Sequence, residues 1–177
     1  MTEPIELHPY DSDWPDAFER ERAQIAPLLV GARAIEHVGS TSIPGLPSKP
    51  IIDIIVLVDD VGAANTAIPA LEAMGYGFWR DNPDKTKLYL AKGLPPAPRR
   101  THHLHIHDDV DEVQRHLIFR DHLRAHPAAR EAYLALKEDL ASRFRDDREA
   151  YSTNKTAFID KLILSLGGPP RRAALDP

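Results

Sequence analysis

Between Ile51 and Val58 a single aspartate, Asp53, stands among seven aliphatic residues. A carboxylate in so apolar a run is costly to bury unless a cation or a hydrogen-bond donor receives it. Asp53 is therefore the first candidate for chemistry. Shortly before it lies Gly39-Ser40-Thr41-Ser42, followed by Lys49. Glycine lets a phosphate approach the backbone, serine hydroxyls and exposed N–H groups can hold it, and Lys49 adds a point charge. The same residues can equally form a proline-containing loop capped by its own hydroxyls. The spacing of a P-loop is absent.

Phosphoryl and nucleotidyl transfer call for carboxylates, usually two, that hold Mg²⁺ against phosphate oxygens. On a strand, positions 53 and 55 share a face. Position 55 is Ile55, so a second ligand must come from another strand. Otherwise Asp53 serves the structure, accepting loop hydrogen bonds or pairing with Lys49. A source of ligands is Thr101-His102-His103-Leu104-His105-Ile106-His107. Period two places His103, His105 and His107 on one face and His102 on the other. Such imidazoles can join Asp53 around a metal, shifting preference from Mg²⁺ toward Mn²⁺ or Zn²⁺, or one can act as acid, base or nucleophile. His107, at the strand end, is expected to be solvated. The alternation is similar to that of the histidine-triad nucleotide hydrolases and transferases, whose triad histidine attacks an α-phosphate. The next two positions there are apolar, whereas here they are Asp108-Asp109.

Basic side chains supply the remaining candidates. His116, Arg120 and Arg124 form one helical stripe, and Lys155 opens the last helix. Near a glycine-serine loop, Arg120 and Lys155 would suit an anionic ligand such as a nucleoside triphosphate; away from it they are a solvated face. Arg99-Arg100 reads as an exposed pair without a role.

The elements that must position these residues follow from patterning. An edge strand is expected over 5–10 and a helix from Trp14 to about Val30. Strands follow at 34–38 and 51–58, and a helix over 61–74 that Pro69 must kink or break. A hairpin comes next over 76–80 and 87–91, then a proline-rich loop over 93–100 and a strand over 101–107. Helices at about 112–125, 128–144 and 152–166 complete the chain. The expected class is α+β, a mixed sheet with a C-terminal helical cap. Residues 1–167 form one domain and 168–177 a disordered tail. With 177 residues and 42% apolar content the chain suits one soluble core. A net charge of −5 argues against a broad nucleic-acid face. No apolar run is long enough to span a membrane, and the absence of cysteine fits a reducing, cytoplasmic setting.

Together these segments resemble the GrpB family. The resemblance is carried by Pro9-Tyr10-Asp11 with Trp14, by the run from Ile35 to Leu46, and by Lys49-Pro50-Ile51-Ile52-Asp53-Ile54. It continues through Thr101 to His105, His116 to Arg124, and Tyr151 with Lys155-Thr156-Ala157-Phe158-Ile159. It implies a nucleotidyltransferase-superfamily core followed by helices. It also implies that Gly39-Ser40 matches the superfamily's glycine-serine loop and Asp53 its first metal-binding aspartate, with Ile55 a departure from the usual second carboxylate. The ligand implied is a small molecule or nucleotide with a divalent metal (Mg²⁺, Mn²⁺ or Zn²⁺). Fusion of some members to dephospho-coenzyme A kinase implies a coenzyme A biosynthesis enzyme as partner.

Overall fold

The β-branched run of 51–58 becomes an interior strand of a five-stranded sheet. In the computed structural model, which describes residues 5–97 and 99–172, the strands are β1 (Ala32–Val38), β2 (Ile52–Val58), β3 (Tyr76–Phe78), β4 (Lys87–Lys92) and β5 (His102–His107). Their order is β1-β2-β5-β4-β3. β2 and β5 are parallel and the other pairs antiparallel. The mixed α+β architecture expected from the sequence is present.

One face of the sheet carries Ile52, Ile54, Val56, Val58, Leu104 and Ile106. It packs on Trp14, Phe18 and Ile25 of α1 (Trp14–Ile25) and on Ile68 and Leu71 of α3 (Ile68–Ala73). The other face carries Asp53 and the alternate histidines. It is covered by α4 (Val110–Ala125), α5 (Pro127–Arg143) and α6 (Arg148–Ser165). Asp109 and Asp147 cap α4 and α6 through the backbone N–H groups of Asp111 and Ala150. These caps start both helices a few residues earlier than the apolar pattern implies.

Proline sets the other differences. The helix expected over 61–74 is broken into α2 (Val61–Ala64), a 3₁₀ turn at Asn65–Ala67 and α3, with Pro69 in the first turn of α3. Pro27 limits α1 to Ile25 and converts Ala26–Leu28 to a 3₁₀ turn. The edge strand expected over 5–10 reduces to one bridge, His8 with Ser48, since Pro9 has no N–H to extend it.

The tail expected to be disordered from 168 is instead seated as far as 172. Gly168 donates to the Ile163 carbonyl at 2.9 Å, and the buried Arg115 donates to the Pro169 carbonyl and to Asp160. Arg171 binds both Asp160 oxygens, and Arg172 pairs with Asp109. Residues 173–177 lie outside the described part of the chain. Among the described residues no helix is long and apolar enough to cross a membrane.

Candidate metal and phosphate site

Strand register assembles the site. Asp53 faces Val38 on β1 and His103 on β5, and His103 faces Ala91 on β4. The next row is Glu36, Ile55, His105 and Tyr89. Asp53, His103 and His105 thus share one face, and one donor atom from each lies within 4.8 Å of the others. His103 Nδ1 is 3.0 Å from Asp53 Oδ1, leaving Nε2 buried without a partner. An unmet imidazole nitrogen beside a carboxylate and a second imidazole fits a divalent ion that takes nitrogen and oxygen ligands.

The Asp53 carboxyl is pushed up by burial. That effect is outweighed by the His103 hydrogen bond and by the electrostatic influence of the neighbouring His103, His105 and Lys155 side chains, which hold it below its ordinary value. Burial pushes the His105 imidazole well below its own, against the pull of Asp53, so the ring is neutral and able to ligate.

Ile55, where a second carboxylate was sought, is fully buried with Val38 and Val113 and flanked by Leu57 and Leu117. Helix α4 therefore closes that position, and His105 on β5 stands beside it. His107, expected in solvent, is only 4% exposed, and burial, with the charge of Lys87 adding to it, lowers its pKa to about 4. His102 does face the other side, beside Glu21, which accepts from the Tyr76 hydroxyl and the Lys92 ammonium.

Next to the Asp53 row is a cavity of about 440 Å³, roofed by α5 and α6. Gly39, Ser40, Thr41, Lys49 and Lys155, the phosphate-binding candidates of the sequence, all line it. Their availability differs. The Thr41 hydroxyl donates to the Ile51 carbonyl and meets His37 Nε2 at 3.0 Å, so it is engaged in the framework. The buried Ser42 lies outside the lining and turns its hydroxyl to the Gly39 carbonyl at 2.6 Å, which removes it from the phosphate-binding set. Ser40 remains, in reach of Tyr133. Arg120 also lies outside the cavity. It grips Glu36 at 2.7 Å, the His37 carbonyl at 3.1 Å and Asp121 at 2.7 Å, so it clamps β1 to α4. Its neighbour Arg124 holds the Ser42 carbonyl at 2.9 Å. We expect Arg120→Met to lower stability by about 1–3 kcal/mol, chiefly from the unmet His37 carbonyl and Glu36. Phosphate affinity should stay within about twofold, because rim charges at a distance are screened. Thermal melting and calorimetry on one sample check both.

Several lining residues carry no mark in a linear reading. Lys137 of α5, Tyr133, Lys87 and Arg100 all border the cavity, where Arg100 is half-buried and not exposed as its sequence suggests. Basic side chains outnumber acidic ones in the lining, where Asp53 and Glu112 are the carboxylates, although the chain as a whole is acidic. Such a cavity focuses a positive field on an anionic guest.

The mixed sheet with its helical cap has a distant likeness of fold to a nucleotidyltransferase. The structure of terminal uridylyl transferase 4 from Trypanosoma brucei with bound CTP shares that fold with a TM-score of 0.51. It covers 98% of this chain and 61% of that one at 13% identity. The chain belongs to the GrpB protein family, whose model matches residues 4–164. It is similar to the crystal structure of conserved protein GrpB from Enterococcus faecalis, with 36% identity, a TM-score of 0.80, and coverage of 90% of this chain and 96% of that one. It is 40% identical over 161 residues to the UPF0157 protein PA4798 of Pseudomonas aeruginosa, spanning 90% of this chain and 66% of that protein. A Dephospho-CoA kinase of Mycolicibacterium paratuberculosis is 33% identical over 181 residues, covering 88% of this chain and 44% of that protein. The chain thus spans only part of these two relatives.

Proposed function

We propose that this protein binds a nucleoside triphosphate together with one divalent metal ion, the phosphates entering the cavity beside Asp53. The observation that carries the reading is the meeting of Asp53, His103 and His105 donor atoms within 4.8 Å, on the wall of a basic cavity of about 440 Å³. That volume falls in the range of small-ligand sites. In this reading Asp53, His103 and His105 hold the ion, which would neutralise phosphate oxygens. Ser40 and the backbone from Gly39 hold phosphate, and Lys49 and Lys155 balance its charge. The CTP named with the distant uridylyl transferase supports a nucleotide as the guest.

Two versions follow. In one, the bound nucleotide is transferred to a small acceptor with release of pyrophosphate. In the other the site binds and senses without chemistry, which the closure of the Ile55 position under α4 favours. Titration with nucleoside triphosphates in the presence of Mg²⁺, Mn²⁺ or Zn²⁺ tests the common reading. Metal-dependent heat is expected, strongest with Mn²⁺ or Zn²⁺, and no heat with any pair would end it. Pyrophosphate release on incubation separates the two versions.

A further inference from the structure

Lys137 stands apart from the other lysines of this chain. It lies on α5 with 2% of its surface exposed. Its ammonium donates to the Pro47 carbonyl at 2.5 Å and the Ser48 hydroxyl at 3.2 Å, and it sits 5.5 Å from the centre of the Tyr133 ring. These partners are all neutral. Among the described residues no carboxylate lies within ion-pair distance of it, while Lys49 and Lys155 both stand over the adjoining Tyr151 ring, at 5.3 and 5.5 Å. A buried amine beside two cations, facing a cavity, keeps its charge only if something brings in negative charge, and otherwise sheds its proton. A chain of linked phosphates presents charges at successive points along such a group of lysines.

We propose that Lys137 is the interior anchor of a polyphosphate clamp formed with Lys49 and Lys155, and that the ligand itself supplies the counter-charge for Lys137. The inference rests on the reading of this cavity as a phosphate site, but not on the ligand being a nucleotide. It has a consequence in protons. Burial, then the charges of Lys155 and Lys49, bring the Lys137 amine down to about 7, against a pull from Asp53 on β2 and Glu138 on α5. Tyr133, Tyr151 and Ser48 complete its surroundings without offering charge at neutral pH. In the ligand-free protein the amine therefore loses its proton as pH rises through about 7. A bound polyanion favours the charged form and restores the proton, so affinity falls as pH rises beyond that point.

The probe is inorganic tripolyphosphate, titrated without added metal into the full chain at pH 7 and 8.5. Buffers of differing protonation enthalpy report the protons exchanged, and Lys137→Met is measured alongside. Subtracting the variant removes the titration of the terminal phosphate itself. Wild type is expected to bind roughly tenfold more weakly at pH 8.5 than at pH 7, and to take up about one proton more than the variant at the higher pH. The variant should lose roughly 100-fold in affinity. A variant that binds within threefold of wild type, or an equal proton count, overturns the clamp; so does a wild type that ignores tripolyphosphate. Should Lys137→Met fail to fold, the pH dependence of wild type decides alone, a flat profile overturning the proposal. If tripolyphosphate binds and nucleoside triphosphates do not compete, the clamp stands and the nucleotide reading falls.

Discussion

Replacing Asp53 by asparagine is expected to lower affinity for Mn²⁺ or Zn²⁺ by about 100-fold or more and leave the fold intact. Asparagine keeps the shape of the side chain and an oxygen that can still accept from His103, whose Nδ1 lies 3.0 Å away. What it removes is the charge. Two imidazoles alone make a weak site, and without the carboxylate neither the ion nor the orientation of His103 is well held. The same substitution has the opposite effect on a metal-free anion. With the negative charge gone from a wall that also carries Lys49 and Lys155, tripolyphosphate should bind several-fold more tightly, a change of about 1 kcal/mol. Opposite signs from one atom pair are hard to produce by misfolding. The acid titration adds a third sign. The folded carboxyl lies below its ordinary value of 3.8, so the stability it contributes is complete above that pH and lost as the pH falls below it. Wild type should therefore melt above Asp53→Asn at neutral pH, and the two should converge in melting temperature only in strong acid. Metal titration of the two proteins decides the matter: equal affinities would remove Asp53 from the site.

Much of this site is legible in sequence because its parts are local. Seven aliphatic residues around one acid announce a buried strand, and alternation places His103 and His105 together. What alternation cannot supply is which strand lies beside which. That Asp53 pairs with His103 depends on a parallel register between segments 50 residues apart, joined through α2, α3, β3 and β4. The helical residues were harder to place. The stripe His116, Arg120, Arg124 is plain in sequence, yet α4 turns Arg120 toward Glu36 and β1 and away from the cavity. Lys137 carries no mark of its own in the sequence, because a charged residue in a charged helix ordinarily faces water. Its spacing did hold a signal: Tyr133 and Leu140, four before and three after, are both buried, so Lys137 stands on the inward stripe of α5. Arg115, four residues before the buried Phe119, is the same case on α4. A cation on an apolar stripe marks an interior anchor, and in this chain both such residues border the cavity.

Gly39→Ala is expected to damage both the fold and the site. Gly39 has φ 70° and ψ −173°, a region essentially restricted to glycine, where another residue costs about 1–3 kcal/mol. Space adds a second penalty. An alanine methyl would lie 2.3 Å from Asp53 Oδ2 and 2.9 Å from its Cβ, so the loop or the aspartate must move. Asp53 lies within the sheet row, between Val38 and His103, and either displacement breaks the geometry that brings three donors within 4.8 Å. We expect a loss of about 3 kcal/mol, a fall in melting temperature of roughly 6–12 °C for a domain of this size, and at least a tenfold loss of metal affinity. Gly45→Ala is the control. It has φ 77° in the same loop, but nothing stands within 4 Å of an added methyl, so it carries only the backbone penalty of about 1–2 kcal/mol and should bind metal as wild type does. Melting curves paired with metal titration separate the two positions. If Gly39→Ala proves no worse than Gly45→Ala in both, the close seating of the glycine loop on Asp53 is not what builds the site.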